Sequence, residues 1–141
     1  MAAAPDIFNR TWDLALLTEC FQGASRFDQL QSRLGISRKT LAERLRSLVE
    51  DGVLVRSQYQ TRPDRFEYSL TQKGEELFPI VMAIRSWGER WGGNGWPVEH
   101  VPCRHQCSAT VICDHCADPV RLDDVRIGSD TGSLTQPRRS P

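Results

Sequence analysis

The side chains best suited to chemistry lie between positions 100 and 116: His100, Cys103, Cys107, Cys113 and Cys116. The pair Cys113-x2-Cys116 can set two thiolates on one tetrahedral ion, and zinc sites are often built from two such elements. The first element has two readings, His100-x2-Cys103 or Cys103-x3-Cys107. Zinc suits these donors because it imposes no geometry of its own. Its ligands would be Cys103, Cys113 and Cys116, with His100 or Cys107 as the fourth. The same thiols allow a second chemistry, a switch in which oxidation joins Cys113 to Cys116 or to Cys103. Reduced, unligated thiols are the third reading. The one cysteine outside this stretch, Cys20, sits in an apolar run and reads as a small core residue.

A second group of reactive surface residues is cationic. Between Arg33 and Arg65 there are eight Lys/Arg against four acids, in a chain whose formal net charge is zero. Bulk charge announces no polyanionic partner, but this local excess points to one. The candidates are Ser37, Arg38, Lys39, Thr40, Glu43, Arg44 and Arg46, followed by Arg62 and Arg65.

These residues need elements to hold them. Ser37 can cap a helix over 38–50, because its hydroxyl can accept a bond from an orphaned N–H of the first turn. Leu41, Leu45, Leu48 and Val49 form one apolar stripe at helical spacing, with Lys39, Glu43 and Arg46 on the opposite face. Asp51-Gly52 ends this helix. A shorter helix precedes it, with Phe27, Leu30 and Leu34 at i, i+3 and i+7, and Gly35 makes the turn between the two. That arrangement lets the first helix cross a DNA backbone while the second enters the major groove. Val53-Leu54-Val55 then begins a strand, and Phe66, Tyr68 and Leu70 alternate on its return. Thr61-Arg62-Pro63-Asp64 forms the hairpin tip, surrounded by Arg56, Arg62 and Arg65, in the position of a wing that touches phosphate or minor groove.

The flanks complete the plan. Ile7 to Phe21, with Trp12, Leu14, Leu16 and Leu17, reads as a largely buried first helix after a loose start over 1–6. Thr71 can cap a long helix from Gln72 to about Trp91 in which Pro79 forces a kink or a restart. Leu77, Val81, Ile84, Trp87 and Trp91 line one side of it, and Phe78, Met82 and Arg85 another. Two apolar sides exceed what a small domain buries, so one is expected to pack on the domain and the other on a second subunit. The expected organisation is a domain over 1–95, a Cys/His-containing extension over 96–127 and a disordered tail over 128–141. The tail is rich in Gly, Ser, Thr and Pro. The expected class is α+β, mainly α. With 141 residues, the chain has room for one domain and an appendage. The N-terminus has no signal architecture and no apolar run approaches the roughly 20 residues of a membrane span, so a cytoplasmic location is expected. There is no Gly-rich phosphate loop, and no third group accompanies the Cys and His of the extension as a nucleophile pair requires, so no enzyme is expected.

Residues Trp12 to Trp91 resemble the HxlR-type winged helix-turn-helix regulators. The resemblance rests on Trp12 with its apolar run, Arg26-Phe27-x2-Leu30 and Ile36-Ser37-x3-Leu41-x3-Leu45-x2-Leu48. It continues through Glu50-Asp51-Gly52, Pro63-x-Arg65-x-Glu67-Tyr68-Ser69-Leu70-Thr71-x2-Gly74 and Trp87-Gly88. The resemblance implies a winged-helix fold, a homodimer through terminal helices, and transcription control by sequence-specific binding to an operator in double-stranded DNA, pseudo-palindromic for such a dimer. Members often sense electrophiles or oxidants through an N-terminal cysteine, and this chain has none before Cys20. On this reading Arg38, Lys39, Thr40 and Glu43 face base edges, while Ser37, Arg44 and Arg46 meet phosphate. Arg62 and Arg65 anchor the wing. Two other readings fit the same residues: a winged-helix module for protein docking, and a metal- or redox-responsive regulator that senses through the C-terminal cysteines.

Overall fold

The computed structural model describes residues 12–93 and 96–125. The expected helix start at Ile7, the loose stretch over 1–6 and the tail over 128–141 lie outside the described residues. The chain divides into two compact units, one of Ala3–Ala109 and one that begins at Thr110. The larger unit thus takes in residues 96–109, the first part of the extension.

The larger unit carries α1 (Asp13–Phe21), α2 (Phe27–Leu34), α3 (Arg38–Glu50), β1 (Leu54–Thr61), β2 (Asp64–Leu70), α4 (Gln72–Glu75) and α5 (Phe78–Arg90), then the short strands β3 (Glu99–His100) and β4 (His105–Gln106). The order is that of a winged helix. Gly35 sits at φ 65, where the absence of a Cβ makes the left-handed turn between α2 and α3 easy. The Ser37 hydroxyl accepts from the Thr40 N–H at 3.1 Å and caps α3 as its position predicts. Leu41, Leu45 and Leu48 have no exposed surface and meet Leu16, Leu17 and Leu30 in one core. Burying each such leucine contributes roughly 1.5–3 kcal/mol.

β1 and β2 pair antiparallel from Leu54↔Leu70 through Arg56↔Tyr68 to Thr61↔Asp64, with a register shift between Gln58 and Gln60. Arg56 therefore lies mid-strand and not at the tip, because the ladder runs on for five residues past it. The root of the wing is locked to the exit of α3. The Thr71 hydroxyl donates to the Gly52 carbonyl at 2.6 Å and accepts from the Gly74 N–H at 3.1 Å. Lys73 Nζ donates to the Asp51 carbonyl at 2.6 Å. A Cβ on Gly74 would stand 2.3 Å from the Val53 oxygen, so only glycine fits there. The Thr71-x2-Gly74 motif is this lock.

The helix expected over 72–91 restarts near Pro79 as anticipated and forms two helices, whereas the expected division of its apolar sides needs correction. The break falls at Glu76–Leu77, and Pro79 lies in the first turn of α5, where its missing N–H removes no helical bond. The apolar sides are also divided differently. Val81 and Met82 are buried together with Arg85 and Ser86, because α5 turns this arc inward, alongside α1. The outward stripe is Ile80, Ile84, Trp87 and Trp91, the last two 64% and 73% exposed. Val81 thus belongs to the core and not with Ile84, Trp87 and Trp91. Trp12, expected in a buried helix, is exposed at the N-terminus of α1.

Residues 96–109 run along α5 and are fastened by the two polar residues of its inner face. Arg85 donates through Nε to the Trp96 carbonyl, through Nη1 to the Cys107 carbonyl at 3.5 Å and through Nη2 to Glu89 Oε1 at 2.5 Å. The Ala109 N–H donates to the Ser86 hydroxyl at 2.9 Å.

Candidate functional site

Between α3, the start of α2 and the wing lies a cleft of about 850 Å³. Five guanidinium-bearing residues line it: Arg26, Arg38, Arg46, Arg56 and Arg65, with Phe27, Tyr59, Phe66 and Tyr68 between them. Three of these arginines lie over aromatic rings. Arg56 lies 3.5 Å from the Phe66 centroid, Arg26 lies 4.7 Å from Tyr59 and Arg38 lies 4.8 Å from Phe27. Such stacking fixes the plane of a guanidinium while leaving its N–H edges free to donate. Arg26 is brought here by a bridge to Glu67 on β2 and by the bond from the Tyr68 N–H to the Ser25 carbonyl at 2.7 Å. Asp28, Glu50 and Asp64 supply negative charge at the same cleft.

The residues expected from sequence fall into five settings. Lys39, Glu43 and Arg46 are exposed on α3. Arg38 is exposed too, but its Nη1 turns back to Gln31 Oε1 at 3.1 Å and Asp28 Oδ1 at 3.5 Å, so it is tethered to α2. Ser37 and Thr40 are engaged with each other, Oγ to Oγ1 at 2.9 Å, besides the cap bond. Arg44 is half-buried and does not line the cleft. Arg62 is exposed at the wing tip, and Arg65 both flanks that tip and lines the cleft. The sequence reading missed Arg26, and it placed Arg56 at the tip. The available signal was the run of outward polar residues along β1, where Arg56 and Gln58 fall on alternate positions.

The cysteines divide by environment. Cys20 packs against the core, and burial, aided by the charge of Glu19, pushes its thiol up to about 12. His100 and Cys103 meet, Nδ1 to Sγ at 3.3 Å. Cys107 is half-buried, with its N–H bonded to the Val98 carbonyl at 2.9 Å. In the smaller unit, the backbone N–H groups of Cys116 and then His115 bear on the Cys113 sulfur and hold its thiol below the usual range. Among the described residues all five cysteines are free thiols, and no group of three or more His, Cys, Asp or Glu side chains forms a metal cage. Among those residues, too, no helix is long and apolar enough to cross a membrane.

Comparison with known proteins agrees with this geometry. Residues 7–95 match the model of the HxlR-like helix-turn-helix family. The chain is 36% identical over 126 residues to the HTH-type transcriptional regulator Mb3122 of Mycobacterium bovis, itself uncharacterized, covering 86% of this chain and 80% of that one. Its fold is similar to that of PA1607, described as a transcription factor, with a TM-score of 0.78, 30% identity and coverage of 92% and 97% of the two chains. It is also similar to the redox regulator HypR in its reduced form, with a TM-score of 0.57, 34% identity and coverage of 60% and 85%.

Proposed function

Because this chain belongs to the HxlR-like helix-turn-helix family of transcriptional regulators, we propose that it binds double-stranded DNA sequence-specifically as a homodimer, with α3 in the major groove. The observation that carries this reading is the cationic surface shared by α3 and the wing. Lys39, Glu43 and Arg46 project from the helix, and Arg56 and Arg65 flank it from the hairpin. Lys39 and Glu43 read base edges, because they stand free on the exposed face near the start of the helix. Ser37 and Thr40 serve the cap and offer the N-terminus of α3 to a phosphate. Arg38 is available to bases once it leaves Gln31 and Asp28. Arg44 and Arg46 take phosphate, and Arg62 and Arg65 anchor the wing to backbone or minor groove.

The dimer reading rests on the stripe of Ile80, Ile84, Trp87 and Trp91. Two indoles and two isoleucines exposed along one helix face form a contiguous apolar patch of the kind that marks protein interfaces. A two-fold dimer brings two copies of α3 to a pseudo-palindrome whose half-sites lie about one helical turn, roughly 34 Å, apart or a multiple of it.

The test is footprinting of the full chain on its own promoter and on genomic fragments. The expected result is a symmetric footprint with two half-sites and an affinity that falls steeply with salt as phosphate contacts are lost. Equal weak binding to every fragment would overturn the reading and leave a winged helix used for protein docking.

A further inference from the structure

The cleft between α3 and the wing has two layers of different chemistry. Its floor is apolar and half-buried, made by Phe27 of α2, Ala42 and Val49 of α3, and Phe66 and Tyr68 of β2. Its rim is the five exposed arginines. The acids at the same cleft do not cancel that rim. Five arginines against Asp28, Glu50 and Asp64 leave an excess of two positive charges. Two of the three carboxylates are already engaged, Asp28 by Arg38 at 3.5 Å and Asp64 by the Gln58 amide at 2.8 Å.

The arginines differ in freedom. Arg26 and Arg56 are held over Tyr59 and Phe66, and Arg38 is held over Phe27 and tethered to Gln31. Among the described residues, Arg46 and Arg65 lie over no ring and pair with no carboxylate. One comes from the α3 wall of the cleft and the other from the β2 wall. DNA accounts for the rim and not for the floor. A phosphodiester backbone is met by exposed cations and offers nothing apolar to cover half-buried rings. A cleft of about 850 Å³ with an apolar floor and a few convergent polar groups is the build of a small-molecule site. A flat ring suits a floor made largely of rings. An ionised carboxylate matches the planar fork of a guanidinium.

We propose that this cleft binds a small aromatic carboxylate, its ring on the floor around Ala42 and Val49 and its carboxylate between Arg46 and Arg65. Binding is non-covalent. The proposed function gives both arginines to DNA, so ligand and DNA compete for them and the ligand acts as a releasing effector. Each lowers the affinity of the other by the same factor. That consequence rests on the DNA-binding reading, whereas occupation of the cleft does not.

The test titrates the full-length chain, without DNA, with 2-naphthoate by calorimetry. Inorganic phosphate, a charge without a ring, and 2-naphthalenemethanol, a ring without a charge, are the controls. Saturable binding of 2-naphthoate is expected, roughly tenfold or more tighter than either control. Arg46→Gln and Arg65→Gln should each weaken it by roughly tenfold, the factor for losing a hydrogen bond from a charged donor. Ala42→Phe fills the floor and should abolish it. Circular dichroism equal to the wild type shows that each variant is folded. Amide shifts in the NMR spectrum of the wild type locate the ligand without any variant, and they should concentrate at Ala42, Arg46, Val49 and Phe66. No saturable binding of 2-naphthoate or of the smaller benzoate at millimolar concentration would overturn the proposal. So would phosphate binding as tightly, or shifts confined to the Ile80–Trp91 face. In a second arm, 2-naphthoate should release the chain from a promoter fragment that it footprints. Occupation of the cleft with DNA affinity unchanged would remove the effector role. A chain that binds 2-naphthoate in the cleft and no specific DNA would overturn the DNA-binding reading and leave the ligand site standing.

Discussion

Replacing Arg85 by methionine should release residues 96–109 from α5 while leaving the rest of the winged helix folded. The side chain of Arg85 is 4% exposed, and methionine keeps its stem while removing the guanidinium. The loss is dominated by the bond to the Trp96 carbonyl, since a hydrogen bond from a charged donor is worth about 1.5–3 kcal/mol. The bond to Cys107 O, at 3.5 Å, lies at the geometric limit and adds little. Glu89 is 39% exposed and rehydrates, so the ion pair contributes little either. Relief of the desolvated charge offsets part of the loss. The net is roughly 1–2 kcal/mol, or about 5- to 30-fold in the local opening equilibrium at 1.4 kcal/mol per tenfold. Amide hydrogen exchange reads this directly. The N–H groups of Cys107 and Ala109 should exchange faster by that factor, while those of Leu45 and Leu48 in the core should not change. Unchanged protection at Cys107 and Ala109 would show that Arg85 does not fasten the segment.

Three further outcomes follow from side-chain placement. Lys39→Ala should weaken binding to the operator by about 1–3 kcal/mol and relax base preference, whereas Arg62→Ala should weaken all sequences alike and lower the salt slope; competition titrations at several salt concentrations separate the two. Ile84→Asp and Trp87→Asp should give folded monomers in sedimentation, whereas Val81→Asp should lose the fold by circular dichroism, because Val81 is 3% exposed. Cys20 should resist alkylation at pH 8. A thiol pushed up to about 12 carries roughly a thousandth of the thiolate of an ordinary one there, and its reactivity should rise only as pH climbs toward that value. Mass spectrometry after timed labelling gives the rate.

How much could be read in advance depended on whether local rules decide the outcome. The turn at Gly35, the Ser37 cap, the buried Leu41, Leu45 and Leu48 and the hairpin tip at 61–64 are set by residues within a few positions of each other, and all are found as expected. Which arc of α5 turns inward is not a local matter. Spacing groups Val81 with Ile84 and Trp87, but the choice of buried arc belongs to α1 and to the Arg85–Trp96 bond, whose partners come from elsewhere in the chain. The stacking of Arg26 on Tyr59 escaped for the same reason, since it needs α2 and the wing to be already in place.

The lock between Thr71, Gly74 and the exit of α3 makes the wing a cantilever. It is clamped at Leu54 and Leu70, and its ladder runs outward from there to Thr61↔Asp64 with a register shift between Gln58 and Gln60. Its reach is therefore set by strand length and not by hinge angle. Lengthening both strands by a pair of residues near 61–64 would extend the tip by about 6.7 Å with the outward side chains still outward. Adding one residue per strand would turn those beyond the insertion to the opposite face. Changes in wing length that keep Arg62 and Arg65 on their present side are thus confined to steps of two residues per strand.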